Sequence, residues 1–261
     1  MASQVNITRI TVQRAINLLL SMRGVLALLI ALYIALAGAY FMDLFMDEGS
    51  VIGALMELFN DNPEYQFQWM FFDSALSKLV TLFVAPLFIF DAVSGDRSGE
   101  RLGLLLSRPI TRAQYMLVNL FSAALAFGIV FFGIMIPAFF LISPSIPELT
   151  FGAYLATAAL MYLLGVFTMC LILLLSTLSK SNLISFIASF GIMSVYMLPN
   201  ASKYSSDTFM SIAKATPHYY ATYFTTHAVE PGMYLLCIAV IILMALPFLA
   251  LAILKLRSED L

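Results

Sequence analysis

Six long apolar runs, at about 24–42, 74–93, 113–142, 154–175, 183–198 and 233–254, limit what this chain can fold into. A helix needs about 20 mostly apolar residues to cross a bilayer. Lipid offers the backbone no hydrogen-bond partner, so only a helix or a closed barrel satisfies itself there. None of the runs alternates with period two, which excludes a barrel. Composition agrees: 62% of the 261 residues are apolar and 11% are charged, with mean hydropathy +0.95. A soluble domain carries about 25% charged residues. The expected fold is an all-α polytopic membrane protein with six transmembrane helices and one transmembrane domain over 24–261. The fifth run is short and the third long, so tilt or an interfacial extension is expected there.

The distribution of Lys and Arg gives the orientation. Of the thirteen basic residues, Arg9, Arg14, Arg23, Arg97, Arg101, Arg108, Arg112, Lys180, Lys255 and Arg257 fall on one side, against Lys203 and Lys214 on the other. Both termini are therefore expected in the cytoplasm. The loop 43–70 fits the outside, with Asp43, Asp47, Glu48, Glu57, Asp61 and Glu64 and no basic residue. Ala37-Gly38-Ala39 has the small-x-small form of a signal-peptidase site. Cutting there would leave five spans and break the charge pattern, so the first run is kept as a span. A net charge of −2 speaks against nucleic acid as a partner. Cys170 and Cys237 lie inside apolar runs, where packing rather than a disulfide or a metal is expected.

Tyr65, Phe67, Trp69, Phe71 and Phe72 precede the second run, as an aromatic belt at the headgroups would. Lys78 then lies about one turn inside the boundary, where it is expected to snorkel outward beside Asp73. The other reading of Lys78 is a cavity-facing charge that meets substrate. Residues 1–23 carry one stripe of Val5, Val12, Ile16 and Leu19 and another of Asn6, Arg9, Gln13 and Asn17, with Ile7 and Ile10 off the apolar face. This pattern predicts an amphipathic helix lying in the interface. Between the fifth and sixth runs, Thr216-Pro217 reads as a helix start. Tyr220, Tyr223, Phe224 and His227 would then share one face. His218 and His227 are nine residues apart with only Glu230 nearby, so a structural or exposed role is expected over a metal site.

The segment 90–119 reads FDAVSGDRSGERLGLLLSRPITRAQYMLVN. Gly95 and Gly99 permit a sharp exit from the second run. A short amphipathic element follows, with Arg97, Glu100 and Arg101 polar and Leu102, Leu105 and Leu106 apolar, and Pro109 ends it. Thr111 and Gln114 have the spacing of a capping box opening the third helix. A short helix parallel to the membrane, tied to two spans, would turn a push from the cytoplasm into a tilt of those spans.

This segment resembles the signature of ABC-2 type transporter permeases, and within them the NosY-like branch associated with nitrous-oxide-reductase maturation. Phe90, Asp91, Ala92, Gly95, Leu102, Leu104, Leu105, Leu106, Ser107, Pro109, Arg112 and Gln114 match without a gap. Asp96 stands where Glu is usual, Glu100-Arg101 replaces Gly-Thr, and Asn119 stands where Lys is common. The motif covers about thirty residues, and the six-run layout with its amino-terminal helix agrees along the chain. The resemblance implies a coupling helix between spans two and three that docks on a cytoplasmic ABC ATPase. The residues it points to are Asp91, Gly95, Asp96, Arg97, Gly99, Glu100, Arg101, Leu102, Leu105, Pro109 and Arg112. It also implies short re-entrant outer helices between spans five and six, a homodimer with two ATPase copies, and a prokaryotic plasma membrane.

No G-x-x-x-x-G-K-[ST], H-E-x-x-H or G-x-S-x-G occurs, so ATP and Mg would be bound by the partner and no catalytic residue or cofactor is expected in this chain. The expected function is the permease subunit of an ABC exporter. The alternative is a membrane anchor or assembly scaffold, transporting nothing, for a partner ATPase or a metalloenzyme maturation complex. An intramembrane enzyme would need a facing nucleophile and base, and the runs contain no histidine.

Overall fold

The computed structural model describes residues 7–45, 62–98, 110–179, 181–201 and 206–258. Among them every regular element is a helix and there is no strand. Helix α1 (Ile7–Leu19) meets α2 (Met22–Phe45) at a 66° bend. At the bend Ser21 Oγ accepts from the Gly24 amide at 3.3 Å. A Cβ on Gly24 would collide with the carbonyl oxygens of Leu18 and Leu19, so only glycine fits this close approach. Next come α3 (Trp69–Leu87), which continues helical residues Pro63–Gln68, and the short α4 (Ser94–Ser98). The long helices α5 (Arg112–Ile142), α6 (Phe151–Leu178) and α7 (Asn182–Ala201) follow. Two short helices, α8 (Asp207–Ala213) and α9 (Pro217–Ala221), precede α10 (Pro231–Arg257).

Five of these helices are long and apolar enough to cross a membrane, or six if the bent α1–α2 pair counts as one span. That fits a membrane protein. The apolar runs at 113–142, 154–175, 183–198 and 233–254 all lie inside the observed helices. Helix α6 is the central element, packing on α10, α5, α7, α9 and α3, while α1 and α2 pack on α5. Over an 18-residue apolar stretch of each, 67% of α6 is buried against 17% of α10, whose Leu235, Leu243, Leu246 and Leu254 face outward.

Apolar burial alone does not hold helices together in lipid, so the contacts between them rely on close packing and on polar groups satisfied across the gap. Gly165, the midpoint of α6, lets the Phe127 ring lie against that helix. The ring is stacked on Tyr162 at 5.3 Å. The Tyr154 hydroxyl donates to the Met135 carbonyl at 3.0 Å, Tyr162 to Ala124 at 3.1 Å, and Thr157 to Gln68 Oε1 at 2.9 Å.

Several expectations are corrected. The apolar helix of the second run covers Trp69–Leu87 rather than 74–93; residues 88–93 are turns, closed by bonds such as Ile89 N to Pro86 O at 3.0 Å. Within the aromatic cluster 65–72, Tyr65 and Trp69 are half-buried. Phe67, Phe71 and Phe72 are buried, and Phe72 meets Tyr154 edge-on at 5.2 Å. Phe71 and Phe72 lie in a π-helical stretch, Trp69–Leu76, and a second one covers Val80–Val84. Buried residues there recur at 67–68, 71–73, 76–77, 80–81 and 84–86. That spacing of four to five follows i→i+5 bonding rather than the 3.6 period. Lys78 lies between the two π-helical stretches and is exposed, whereas Asp73 is buried.

On α1 the buried residue is Ala15, while Val12 and Ile16 of the apolar stripe stay exposed. Val5 and Asn6 lie outside the described residues, as do Asp47, Glu48, Glu57 and Asp61 of the acidic loop, and also Lys180 and Lys203. Beyond Thr216 there is no continuous helix carrying Tyr220 and His227 on one face. Helix α9 ends at Ala221, and a separate 3-10 turn spans Tyr223–Thr225. The Thr216 hydroxyl donates backward to the Ala213 carbonyl at 2.8 Å instead of capping α9.

Candidate functional site

Residues 91–97 follow the turns beyond α3, and the ends of α2, α5, α6 and α7 converge on them. Asp91 accepts from Arg23 at the start of α2, Nη1 to Oδ1 2.6 Å, and the Arg23 guanidinium also lies 4.7 Å above the Phe90 ring. Asp96 receives Arg14 of α1 at 3.7 Å. The Tyr115 hydroxyl of α5 lies 2.7 Å from Asp96 Oδ2 and 2.7 Å from the Ala92 carbonyl oxygen. These ion pairs are partly exposed, so their main effect is on geometry rather than stability.

Ser176 makes the most enclosed connection. Helix α4 opens with amides that have no acceptor in a preceding turn, as every helix does. Ser176 Oγ, near the end of α6, accepts from the Val93 amide at 3.2 Å and the Ser94 amide at 3.0 Å. It also lies 3.1 Å from Ser94 Oγ, which in turn donates to Asn182 Oδ1 at the start of α7 at 2.6 Å. Ser176 thus acts as an N-cap supplied from another helix. Both Ser94 and Ser176 are fully buried.

Two arginines cap the last turns of two long helices. Arg97 Nη1 donates to the carbonyls of Thr177 and Ser179 at 3.3 and 3.2 Å, at the end of α6. Arg112 Nη1 donates to those of Leu256 and Arg257 at 2.8 and 2.9 Å, at the end of α10. A cation at a helix C-terminus satisfies otherwise orphaned carbonyls and complements the dipole. The expected capping box is present, with Gln114 N to Thr111 Oγ1 at 3.2 Å and Thr111 N to Gln114 Oε1 at 2.9 Å.

Of the residues singled out from the sequence, Asp91, Asp96 and Arg97 therefore belong to one hub, Gly95 packs beside Asp91 within it, and Arg112 separately ties α5 to α10. Gly99, Glu100, Arg101, Leu102, Leu105 and Pro109 lie outside the described residues. Arg14, Arg23, Ser94, Tyr115, Ser176 and Asn182 join the hub without having been singled out for it. Arg14 and Arg23 counted only toward orientation, and Ser176 lies more than eighty positions from the amides it caps, so no local signal marked it.

At the opposite end, Glu64 accepts from Gln68 Nε2 at 3.1 Å. Its carboxyl is raised from the usual range, first by burial, with repulsion from Glu148 adding and the Gln68 bond opposing. His218 is buried in α9, whereas His227 is exposed, stacked on Tyr223 at 4.2 Å. Among the described residues no three His, Cys, Asp or Glu side chains are placed to hold a metal, and Cys170 and Cys237 are buried and unpaired.

No protein-family model matches the chain, and no curated protein sequence does.

Proposed function

We propose that this protein is the membrane subunit of an ATP-driven exporter, a permease of the ABC-2 type resembling the NosY-like branch. In this reading both termini and the hub face the cytoplasm, and the chain sits in a prokaryotic plasma membrane. Two copies pair and two separate ATPase subunits dock beneath them. The observation that carries the proposal is the hub. The stretch 91–97 leads directly into 99–109, where the resemblance puts the ATPase contact. It is tied by side chains to α1, α2, α5, α6 and α7, while Arg112, at the far side of that contact, holds α10. A displacement of 99–109 would be passed to the ends of all these helices together, which is how conformational coupling works without covalent chemistry.

The test is to purify the full-length protein from its native membrane and assay the eluate for ATP hydrolysis. Wild type carries an ATPase with it. Glu100→Ala with Arg101→Ala loses the co-purified activity at unchanged chain level. An eluate that never hydrolyses ATP, or a double variant that hydrolyses as wild type does, rejects the coupling role. Stimulation of turnover by added substrate in vesicles separates a transporter from an anchor.

A further inference from the structure

A cavity of about 550 Å³ lies between the second half of α7 and the chain around α8. Helix α7 contributes Gly191, Val195 and Tyr196, whose spacing of four and five puts them on one face. Ile212 of α8 and the following Ala215 and Thr216 close the other side. None of the lining residues is charged, and the Thr216 hydroxyl is taken up by the Ala213 carbonyl at 2.8 Å. The Tyr196 ring meets Phe167 of α6 edge-on at 6.2 Å, so the wall is braced from behind.

The cavity opens outward. Val195 lines it and is 65% exposed, and Leu198 nearby is 64% exposed. Gly191 is exposed as well, with nothing within 4 Å of where a Cβ would stand. This outer face belongs to a helix long and apolar enough to cross a membrane, of which only 22% is buried over its apolar stretch. In a bilayer the neighbours of such a face are acyl chains. A void beside them forfeits dispersion contacts on its walls, and a chain that enters restores them. The volume lies within the roughly 300–1,000 Å³ of pockets that hold small ligands.

The charge at the edge of the cavity bears on the rest of the ligand. Lys214 stands at the C-cap of α8, directly before the lining residue Ala215. It is exposed, and no carboxylate of a described residue pairs with it. Asp207, in the first turn of α8, lies about 10 Å away along the helix axis. An uncharged apolar pocket with one cation at its edge complements an amphiphile that carries a negative group.

We propose that the cavity between α7 and α8 holds an acyl chain of an anionic bilayer phospholipid, whose phosphate sits beside Lys214. The site is that of a resident lipid, and it does not depend on the permease reading.

The test uses the full chain, purified in a mild detergent and washed free of bulk lipid, with bound phospholipid counted by mass spectrometry. Wild type should retain one phospholipid per chain. Gly191→Phe places a ring in open space and should lower retention by about tenfold or more, the worth of two buried methylenes. Gly133→Phe adds the same ring at an open position on α5 and should keep the lipid. Unfolding in sodium dodecyl sulfate checks that both variants fold, and Ile212→Phe fills the cavity from the other side should Gly191→Phe fail to do so. In phosphatidylcholine vesicles, spin-labelled phosphatidylglycerol should be immobilised alike by wild type and Lys214→Arg. Lys214→Gln should bind it about fivefold more weakly, as the loss of one basic residue near an anionic group predicts. Wild type that retains no phospholipid, or equal retention by the filled variants and Gly133→Phe, overturns the proposal. Equal affinity of Lys214→Gln and wild type for phosphatidylglycerol overturns it too. A change of oligomeric state on filling, with the lipid retained, would give the cavity to a second copy of the chain instead.

Discussion

Replacing Ser176 with alanine removes the single acceptor that serves the Val93 and Ser94 amides. Both residues are fully buried, so water does not replace the hydroxyl. Each buried N–H left without a partner costs about 1–3 kcal/mol. Two of them, with some relaxation of α4, put the expected loss at roughly 2–4 kcal/mol. Ser94→Ala is the matched control. It deletes a hydroxyl of the same cluster, and with it the 2.6 Å bond to Asn182, but leaves both amides capped by Ser176. Its expected loss is about 1 kcal/mol, the net worth of one ordinary hydrogen bond. Reversible unfolding of the detergent-solubilised protein in increasing sodium dodecyl sulfate measures both. If Ser176→Ala costs no more than Ser94→Ala, the trans-capping argument is wrong and the hub is held by something else. Under the proposed function, Ser176→Ala should also lower ATP turnover of the complex more than its stability loss explains, because α4 is no longer anchored to α6.

Gly165→Ala would set a methyl 2.5 Å from Phe127 Cε1, a ring already held by Tyr162, and should cost about 1–3 kcal/mol as overpacking does. Gly133→Ala has nothing within 4 Å and should be neutral or stabilising by up to about 1 kcal/mol; the same unfolding titration compares the two. Tyr115→Phe deletes the hydroxyl shared by Asp96 and Ala92, with an expected loss of about 1–2 kcal/mol. Limited proteolysis should then release α1 sooner, since Asp96 is also the Arg14 partner; unchanged protection would show that α1 is held by Ala15 packing alone. Glu64 has a folded-state pKa raised above 4.5, so its ionised form is disfavoured in the fold. Wild type should therefore gain stability relative to Glu64→Gln as pH falls through the raised value toward 4.5, a difference that thermal unfolding at stepped pH would detect.

The helices were legible wherever the signal was local. Thr111 and Gln114 sit three apart and close a capping box that any reader of the sequence would write down. Apolar runs of span length became helices for the same reason: lipid leaves the backbone no other satisfied conformation. Half of the hub was legible too. Asp91, Asp96, Arg97 and Arg112 stand out as charges between two apolar runs, and charges there need partners. Their partners were not readable, because Arg14, Arg23 and the carbonyls of Thr177 and Leu256 reach them across tens of residues. Where the sequence misled, the cause was an assumed period. Phe71 and Phe72 look like part of a surface belt on a 3.6-residue helix, but in the π-helical stretch Trp69–Leu76 both are buried and Phe72 meets Tyr154.

Sequence alone determined that this chain lives in a membrane as a bundle of apolar helices, and which polar segment interrupts them. Those outcomes follow from transfer free energy and backbone hydrogen bonding, which act on each stretch separately. Tertiary structure decided which ends meet at residues 91–97, and that Lys78 is exposed while Asp73 is buried. Both depend on how one helix is rotated against its neighbours. Close packing sets that rotation, at contacts such as Phe127 on Gly165 and Val80 beside it, between residues that the linear order keeps apart.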